Sequence, residues 1–265
     1  MTDPVRRVAI LGANDGEVAE AASSGANLKT DLEMAVETTA ARVSSVSRAD
    51  AIVAVGTDAV SAAATDGHGV PILPIGVGRL GVARPDAVEA LRSLVAGRWR
   101  RTSHPTLSVT VGTDRSARHR GAFDATLLTA ETARISEYAV SFPSGRRESF
   151  RGDGVVVATP LGSDGYAGAA GAPVLEPRSG TSVTPIAPFR IHGVRWVAAG
   201  GVTLSIERDE EPVELVVDGT RRGTVTPHEP IEIRVDRGFD LISVPVGREG
   251  DDAVDWKNSN ESCTE

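Results

Sequence analysis

The hydrophobic pattern of the chain changes its period once, near residue 103, and that change limits what the chain can build. Before it, short continuous apolar runs alternate with helical stretches. Residues 5–11, 50–56 and 70–75 read as strands, residues 29–46 and 86–97 as helices, and a further helix lies between the second and third strands. Continuous apolar strands are the mark of a parallel sheet buried on both faces, and strand–helix alternation at this spacing makes an α/β layer. After the change, alternating runs at 107–111, 123–128, 135–142, 154–159, 196–202, 213–218, 231–235 and 241–246 are separated by Gly, Pro and Asp turns. That spacing is typical of an antiparallel sandwich. The expected organisation is an α/β N-terminal domain with a parallel sheet over residues 1–102 and an all-β, sandwich-like C-terminal domain over 103–247. Residues 248–265 are acidic and aperiodic and read as a disordered tail.

Charge and composition exclude several functions. The chain of 265 residues carries a formal net charge of −8. From Arg248 onward six acids face only Arg248 and Lys257, so half of that charge sits in the tail. The body is only mildly acidic, which argues against a nucleic-acid partner held by bulk charge. No stretch approaches the ~20 apolar residues of a spanning helix, and the first residues lack an apolar signal core, so no membrane association and a cytoplasmic location are expected. The single cysteine, Cys263, rules out an internal disulfide framework and a Cys-rich zinc site. Lys29 and Lys257 are the only lysines. Acid excess with abundant Ala, Gly and Val and so little lysine resembles the composition of a GC-rich halophile, and any chemistry of the body that needs a lysine has only Lys29.

Two familiar motifs fail on context. Gly76-Val-Gly78-Arg-Leu-Gly81 fits G-x-G-x-x-G after a strand, but a dinucleotide fingerprint opens a helix directly and places an acid about 20 residues on. Here Val82-Ala-Arg-Pro85 intervenes, and no acid lies between Glu89 and Asp114. Around Ser163 a nucleophile elbow would need glycine two residues earlier, where Leu161 stands. The histidines at 68, 104, 119, 192 and 228 show no metal-ligand spacing, so surface or core roles and no protein metal site are expected.

Several weaker signals come in one order. Gly56-Thr57-Asp58-Ala59 puts a carboxylate at the carboxyl end of a parallel strand, where α/β folds bind ligands. Residues 71–82 follow with Pro-Ile-Leu-Pro-Ile-Gly-Val-Gly-Arg-Leu-Gly-Val. The second half holds Arg151-Gly152-Asp153-Gly154, Thr159-Pro160-Leu161-Gly162-Ser163-Asp164-Gly165-Tyr166 and Gly171-Ala172-Pro173-Val174. Thr184-Pro-Ile-Ala-Pro188 and Asp218-Gly219 close the series. This set resembles the NAD kinase family from about residue 50 to residue 246, most strongly in its GDG…TPTGSTAY…GGP block and next in its G-I-N-x-G-x-L-G-F loop. Residues 1–49 match poorly.

The resemblance implies an α/β domain and a β-sandwich with the site between them. It also implies transfer of the γ-phosphoryl of ATP, or of polyphosphate in some members, to the 2′-hydroxyl of the adenosine ribose of NAD. Mg2+ would accompany ATP as the cofactor, and a homodimer or homotetramer is expected. Carried over position by position, Asp58 is the base that takes the hydroxyl proton, with Gly56 and Ala59 in the same nucleotide-binding turn. Asp153 lies near the nicotinamide end with Arg151 adjoining, Asp124 meets the nucleoside, and Ser163, Asp164, Gly165, Tyr166 and Ala169 line NAD. Tyr166 either packs on the nucleotide or serves as a boundary aromatic.

The departures from the family pattern bear on activity. Two glycines of GGDG are Thr57 and Ala59, and a β-carbon costs on the order of 1–2 kcal/mol wherever φ must be positive. The family's Asn-Glu pair is Asp124-Ala125, the second Thr of TPTG is Leu161, an acid is gained at Asp164, and the Asn of the GIN loop is Gly76. A non-catalytic relative that binds a nucleotide and regulates or pairs with a true kinase is therefore the alternative reading.

Overall fold

A computed structural model of the protein describes residues 5–12, 33–37, 49–66, 69–112, 118–131, 135–189, 194–208 and 211–245. The tail expected at 248–265 lies outside them. Four parallel strands, β1 (Arg7–Leu11), β2 (Glu33–Glu37), β3 (Ala51–Val55) and β4 (Ile72–Ile75), lie in the order β2-β1-β3-β4. All five residues of β3 are buried because helices cover both faces of the sheet. Helix α1 (Thr57–Thr65) packs Ala59, Val60 and Ala63 on one face with Ile52 and Ala54. Helix α2 (Ala87–Val95) packs Ala90, Leu91 and Leu94 on the other with Val53 and Ile75.

One expected element is corrected. The helix read over 29–46 is interrupted by β2, which pairs with β1 from Arg7↔Glu33 to Leu11↔Glu37. A short apolar run cannot be told from a helical segment by periodicity alone, and here it supplies the backbone partner for one side of β1. The rest of that stretch lies outside the described residues.

The second half is a sandwich. The same sheet continues through β5 (Arg100–Val111), β6 (Arg118–Gly121), β8 (Ser136–Ser141), β9 (Arg147–Gly152), β13 (Val202–Arg208) and β16 (Ile231–Ser243). The facing sheet consists of β7 (Asp124–Thr129), β10 (Gly154–Ala158), β11 (Thr181–Ile186), β12 (Trp196–Ala198), β14 (Val213–Val217) and β15 (Thr220–Val225). It runs in the order β12-β11-β10-β7-β14-β15 and is antiparallel throughout. Leu127, Val157 and Leu215 of this sheet meet Tyr138, Leu204 and Ile206 of the first in the sandwich core.

The runs read at 231–235 and 241–246 are one strand with an irregularity between Asp236 and Phe239. That strand, β16, pairs with β5 along its length and, at Leu241↔Ile72, with β4, so one ten-stranded sheet passes through both halves. The junction placed at residue 103 falls inside β5. We propose that the division into 1–102 and 103–247 is one of packing: the sandwich has a core of its own, while Phe123, Leu161 and Phe239 of the second half pack with Ile52 and Val60 of the first beside one shared sheet. The run at 196–202 is split, with β12 in the facing sheet and Val202 beginning β13 in the other. Among the described residues no helix is long and apolar enough to cross a membrane.

Candidate functional site

Strand β3 ends at Gly56, whose N–H donates to Ile75 O at 2.9 Å and whose φ of 85° suits glycine alone. The helix begins at the next residue, so Thr57 and Ala59 have ordinary helical backbone. The strain expected from β-carbons there is absent, because only the residue ahead of the helix takes the unusual conformation. Asp58 stands exposed on the first turn of α1. Ala59 is buried among the apolar side chains under the helix, so its methyl group does not face a ligand, contrary to expectation.

One carboxylate ties this helix to the second half. Asp218, 7% exposed, accepts hydrogen bonds from Ser61 Oγ of α1 at 2.5 Å and from the N–H groups of Ala122, Phe123 and Asp124 at 2.7, 2.9 and 3.1 Å. It therefore sets α1, and with it Asp58, against the start of β7. In the sequence Asp218 belonged to the Asp-Gly pair that closes the resembling series, and nothing local signalled its partners.

Asp124 opens β7 opposite Ala158, and Thr126 lies opposite Val156, so all four side chains share the outer face of the second sheet. Helix α3 (Tyr166–Ala169) lies over that face, with Ala167 packed on Val156 and Ala158. Burial first, and the neighbouring Asp218 second, push the Asp124 carboxyl up to about 6, opposed by the Thr126 hydroxyl at 3.4 Å. The Tyr166 hydroxyl is raised by partial burial and then by the negative charges of Asp124 and Asp153. The Tyr166 hydroxyl thus lies within electrostatic reach of both Asp124 and Asp153, which stand at opposite ends of the β7–β10 ladder. Asp153 is fixed through its backbone, its carbonyl accepting from Thr129 N and Oγ1 and from Tyr138 OH. Arg151, Gly165 and Ala169 are exposed around this wall.

Two residues expected to line the ligand do other work. Ser163 is fully buried, donates to Pro160 O at 2.9 Å and accepts from Leu175 N at 3.0 Å, so it shapes the turn. Asp164 reaches back to the first half and accepts from Arg79 N at 2.5 Å. The Arg79 guanidinium in turn donates to Leu175 O at 3.0 Å and pairs with Glu176 at 3.1 Å, strapping the 76–81 loop to the second half. Two other departures also lose their force. Leu161 is buried in the core beneath α1, and Ala125 is fully buried in the sandwich, so in this register a carboxylate at 125 would face the core.

His104, for which the sequence offered only a surface or core role, holds the turn between β10 and α3. Its Nε2 accepts from Leu161 N at 3.0 Å, which makes Nδ1 the protonated nitrogen that donates to Pro105 O at 2.9 Å. Burial drives its pKa down to about 4, against the opposing hydrogen bond to Pro105. Among the described residues no group of three or more His, Cys, Asp or Glu side chains could cage a metal ion.

A family model of the ATP-NAD kinase C-terminal domain matches residues 124–241. An NAD kinase from Methanopyrus kandleri is 32% identical over 161 residues, 58% of this chain and 58% of that protein. The chain thus spans about three fifths of the length of these curated relatives it matches. The fold is similar to yeast NADH kinase complexed with NADH, at a TM-score of 0.72 and 16% identity over 92% of this chain and 85% of that one. It is also similar to an Archaeoglobus fulgidus NAD kinase in complex with ATP, at a TM-score of 0.66 and 23% identity over 91% and 94%.

Proposed function

We propose that the chain is a member of the NAD kinase family and that it transfers the γ-phosphoryl of ATP to the 2′-hydroxyl of the adenosine ribose of NAD. The observation that carries this reading is the placement of Asp58. It stands exposed at the carboxyl end of β3 on a helix that Asp218 holds against the wall of Asp124, Asp153 and Tyr166. A dinucleotide lying along that wall would bring a ribose hydroxyl to the turn. Asp58 takes its proton as the oxygen attacks, and positioning with charge neutralisation supplies the rest.

Mg2+ fits this donor set without a cage, because it keeps its waters and needs only one or two carboxylates beside substrate phosphates. Asp58 is the carboxylate of the turn that could meet it. When bound, the ion would neutralise phosphate charge. The non-catalytic alternative leaned on strain at Thr57 and Ala59 and on the missing Glu at 125, and neither observation now favours it.

The test is NADP formation by the purified chain with ATP, and separately with polyphosphate, at low and at molar salt. Protein that binds NAD but forms no NADP under any of these conditions would end the kinase reading. Asp153→Ala is expected to weaken NAD binding about tenfold or more, the worth of a hydrogen bond to a charged group. Calorimetry showing unchanged NAD affinity would remove Asp153 from the site. The homodimer or homotetramer that the resemblance implies would cover exposed apolar side chains such as Phe189 and Val174 near this wall, and light scattering measures it directly.

A further inference from the structure

We infer that Ser61 is a positioning residue for Asp58: through Asp218 it fixes the roll of α1 and so aims the base at the wall where the dinucleotide lies; this rests on the kinase reading above. Ser61 stands just beyond the Gly56–Ala59 turn of the resemblance. Helix α1 has nine residues, about two and a half turns. Its buried side is made of Ala59, Val60, Ala63 and Ala64. Side chains this small raise shallow ridges, so they bury the helix without keying it against rotation.

Two hydrogen bonds between the halves supply what this packing lacks. Asp58, Ser61 and Thr65 follow at i, i+3 and i+7, on one side of the helix. The Ser61 hydroxyl donates to Asp218 Oδ2 at 2.5 Å, in the range of a charge-assisted bond. At the far end Arg120 Nη1, on β6, donates to Thr65 O at 3.0 Å, and Nη2 donates to Thr106 Oγ1 at 3.4 Å. The side of α1 that carries Asp58 is thereby the side turned to the second half. Thr65 Oγ1 stays within the helix, donating to Ser61 O at 2.8 Å.

Asp218 can serve as a fixed reference because its own backbone is held. Asp218-Gly219 is the two-residue turn between the paired Val217 and Thr220, and both turn residues have positive φ, +47° and +74°. Aspartate tolerates that conformation, which a primed hairpin turn demands. The Asp218 N–H donates to Asp124 O at 3.0 Å, while the carboxylate takes the N–H groups of Ala122, Phe123 and Asp124. Asp124 and α1 are therefore referenced to a single carboxylate. A side chain at the rim of an α-helix stands roughly 6 Å from the axis, so a roll of about 10° moves it about 1 Å. A misplacement of that size costs on the order of 10²-fold in rate. Of the two ties, the Ser61 bond is the one that lies a single turn from Asp58.

The experiment uses the full chain with Ser61→Ala, Ser61→Thr and Thr65→Ala, and with Ser61→Ala combined with Asp58→Asn. Ser61→Ala should fold, because alanine is the better helix former and Asp218 keeps its three N–H donors. It should lower kcat for NADP formation roughly ten- to a hundredfold and leave NAD affinity by calorimetry unchanged. Ser61→Thr, which keeps the hydroxyl, should recover most of the rate. Thr65→Ala, which loses no bond between the halves, should match the wild type. In the Asp58→Asn background Ser61→Ala should cost nothing further, because no base is left to aim. Unchanged kcat in Ser61→Ala, no recovery in Ser61→Thr, an equal loss in Thr65→Ala or in NAD affinity, or penalties that multiply in the double variant would each overturn the inference. Hydrogen exchange of residues 57–65 reads the same tie without turnover: bound NAD should slow it in the wild type and not in Ser61→Ala. NAD-dependent protection alike in both, or in neither, would also overturn it. Wild type that forms no NADP with any donor, but whose protection is lost in Ser61→Ala, would keep the tie and end the kinase reading.

Discussion

Asp58→Asn is expected to lower NADP formation by about 10²–10⁴-fold, the span of general-base contributions, with NAD affinity nearly unchanged. The substitution keeps the size of the side chain and most of its hydrogen bonding but removes its basicity. The turn that carries it, Gly56 to Val60, holds no other acid and no histidine or lysine, so nothing within that turn can take over the proton. Its exposure on the first turn of α1, with Ala59 and Val60 anchoring the helix below, lets the change leave the fold intact. An equally active Asp58→Asn would keep the kinase and reject this base. A loss confined to KM for ATP would instead reassign Asp58 to holding the donor, because a missing base acts on kcat.

The order of the elements could be read because each half imposes its own period. Continuous apolar runs such as Ala51–Val55, bounded by turn signals, fit buried strands, and Asp58 just past the end of one sits where α/β folds bind ligands. The features that could not be read have physical causes. The strands β6, β9 and β15, reading RHRG, RESFRG and TRRGTV, lie at sheet edges, where charged residues are favoured and the alternation is lost. The roles of Asp164 and Asp218 depend on partners brought in by tertiary structure. Asp164 meets Arg79 N across 85 residues of chain and Asp218 meets Ser61 across 157, distances at which no local pattern survives.

Among the described residues two buried groups with opposite leanings, His104 and Asp124, couple folding to pH between about 4 and 6.5, and replacing one should expose the other. His104 has a pKa near 4 in the native state against 6.5 for the free side chain, so the unfolded chain binds the extra proton between those values. Its contribution to stability is complete above about pH 6.5 and is lost as the pH falls towards 4. Asp124 behaves in the reverse sense. At about 6 against 3.8, the native state holds the proton more tightly, so stability falls as the pH rises from about 4 to about 6. The windows overlap and the slopes oppose, so these two groups together leave the wild type nearly flat across the interval. Asp124→Asn removes one slope only. At pH 7 it lifts the cost of an ionised carboxylate buried beside Asp218, about 2–3 kcal/mol, because each pH unit between the native and free pKa is worth roughly 1.4 kcal/mol. Thermal melts from pH 7 to pH 4 should then show a variant that starts more stable than the wild type and declines steeply, converging on it near pH 4. Any amide hydrogen left without a partner would reduce the starting gain by a constant amount and leave the slope untouched, because asparagine does not titrate. A variant whose pH profile stays parallel to that of the wild type would show that Asp124 is ionised at its ordinary cost, and the electrostatic account of this wall would fail with it.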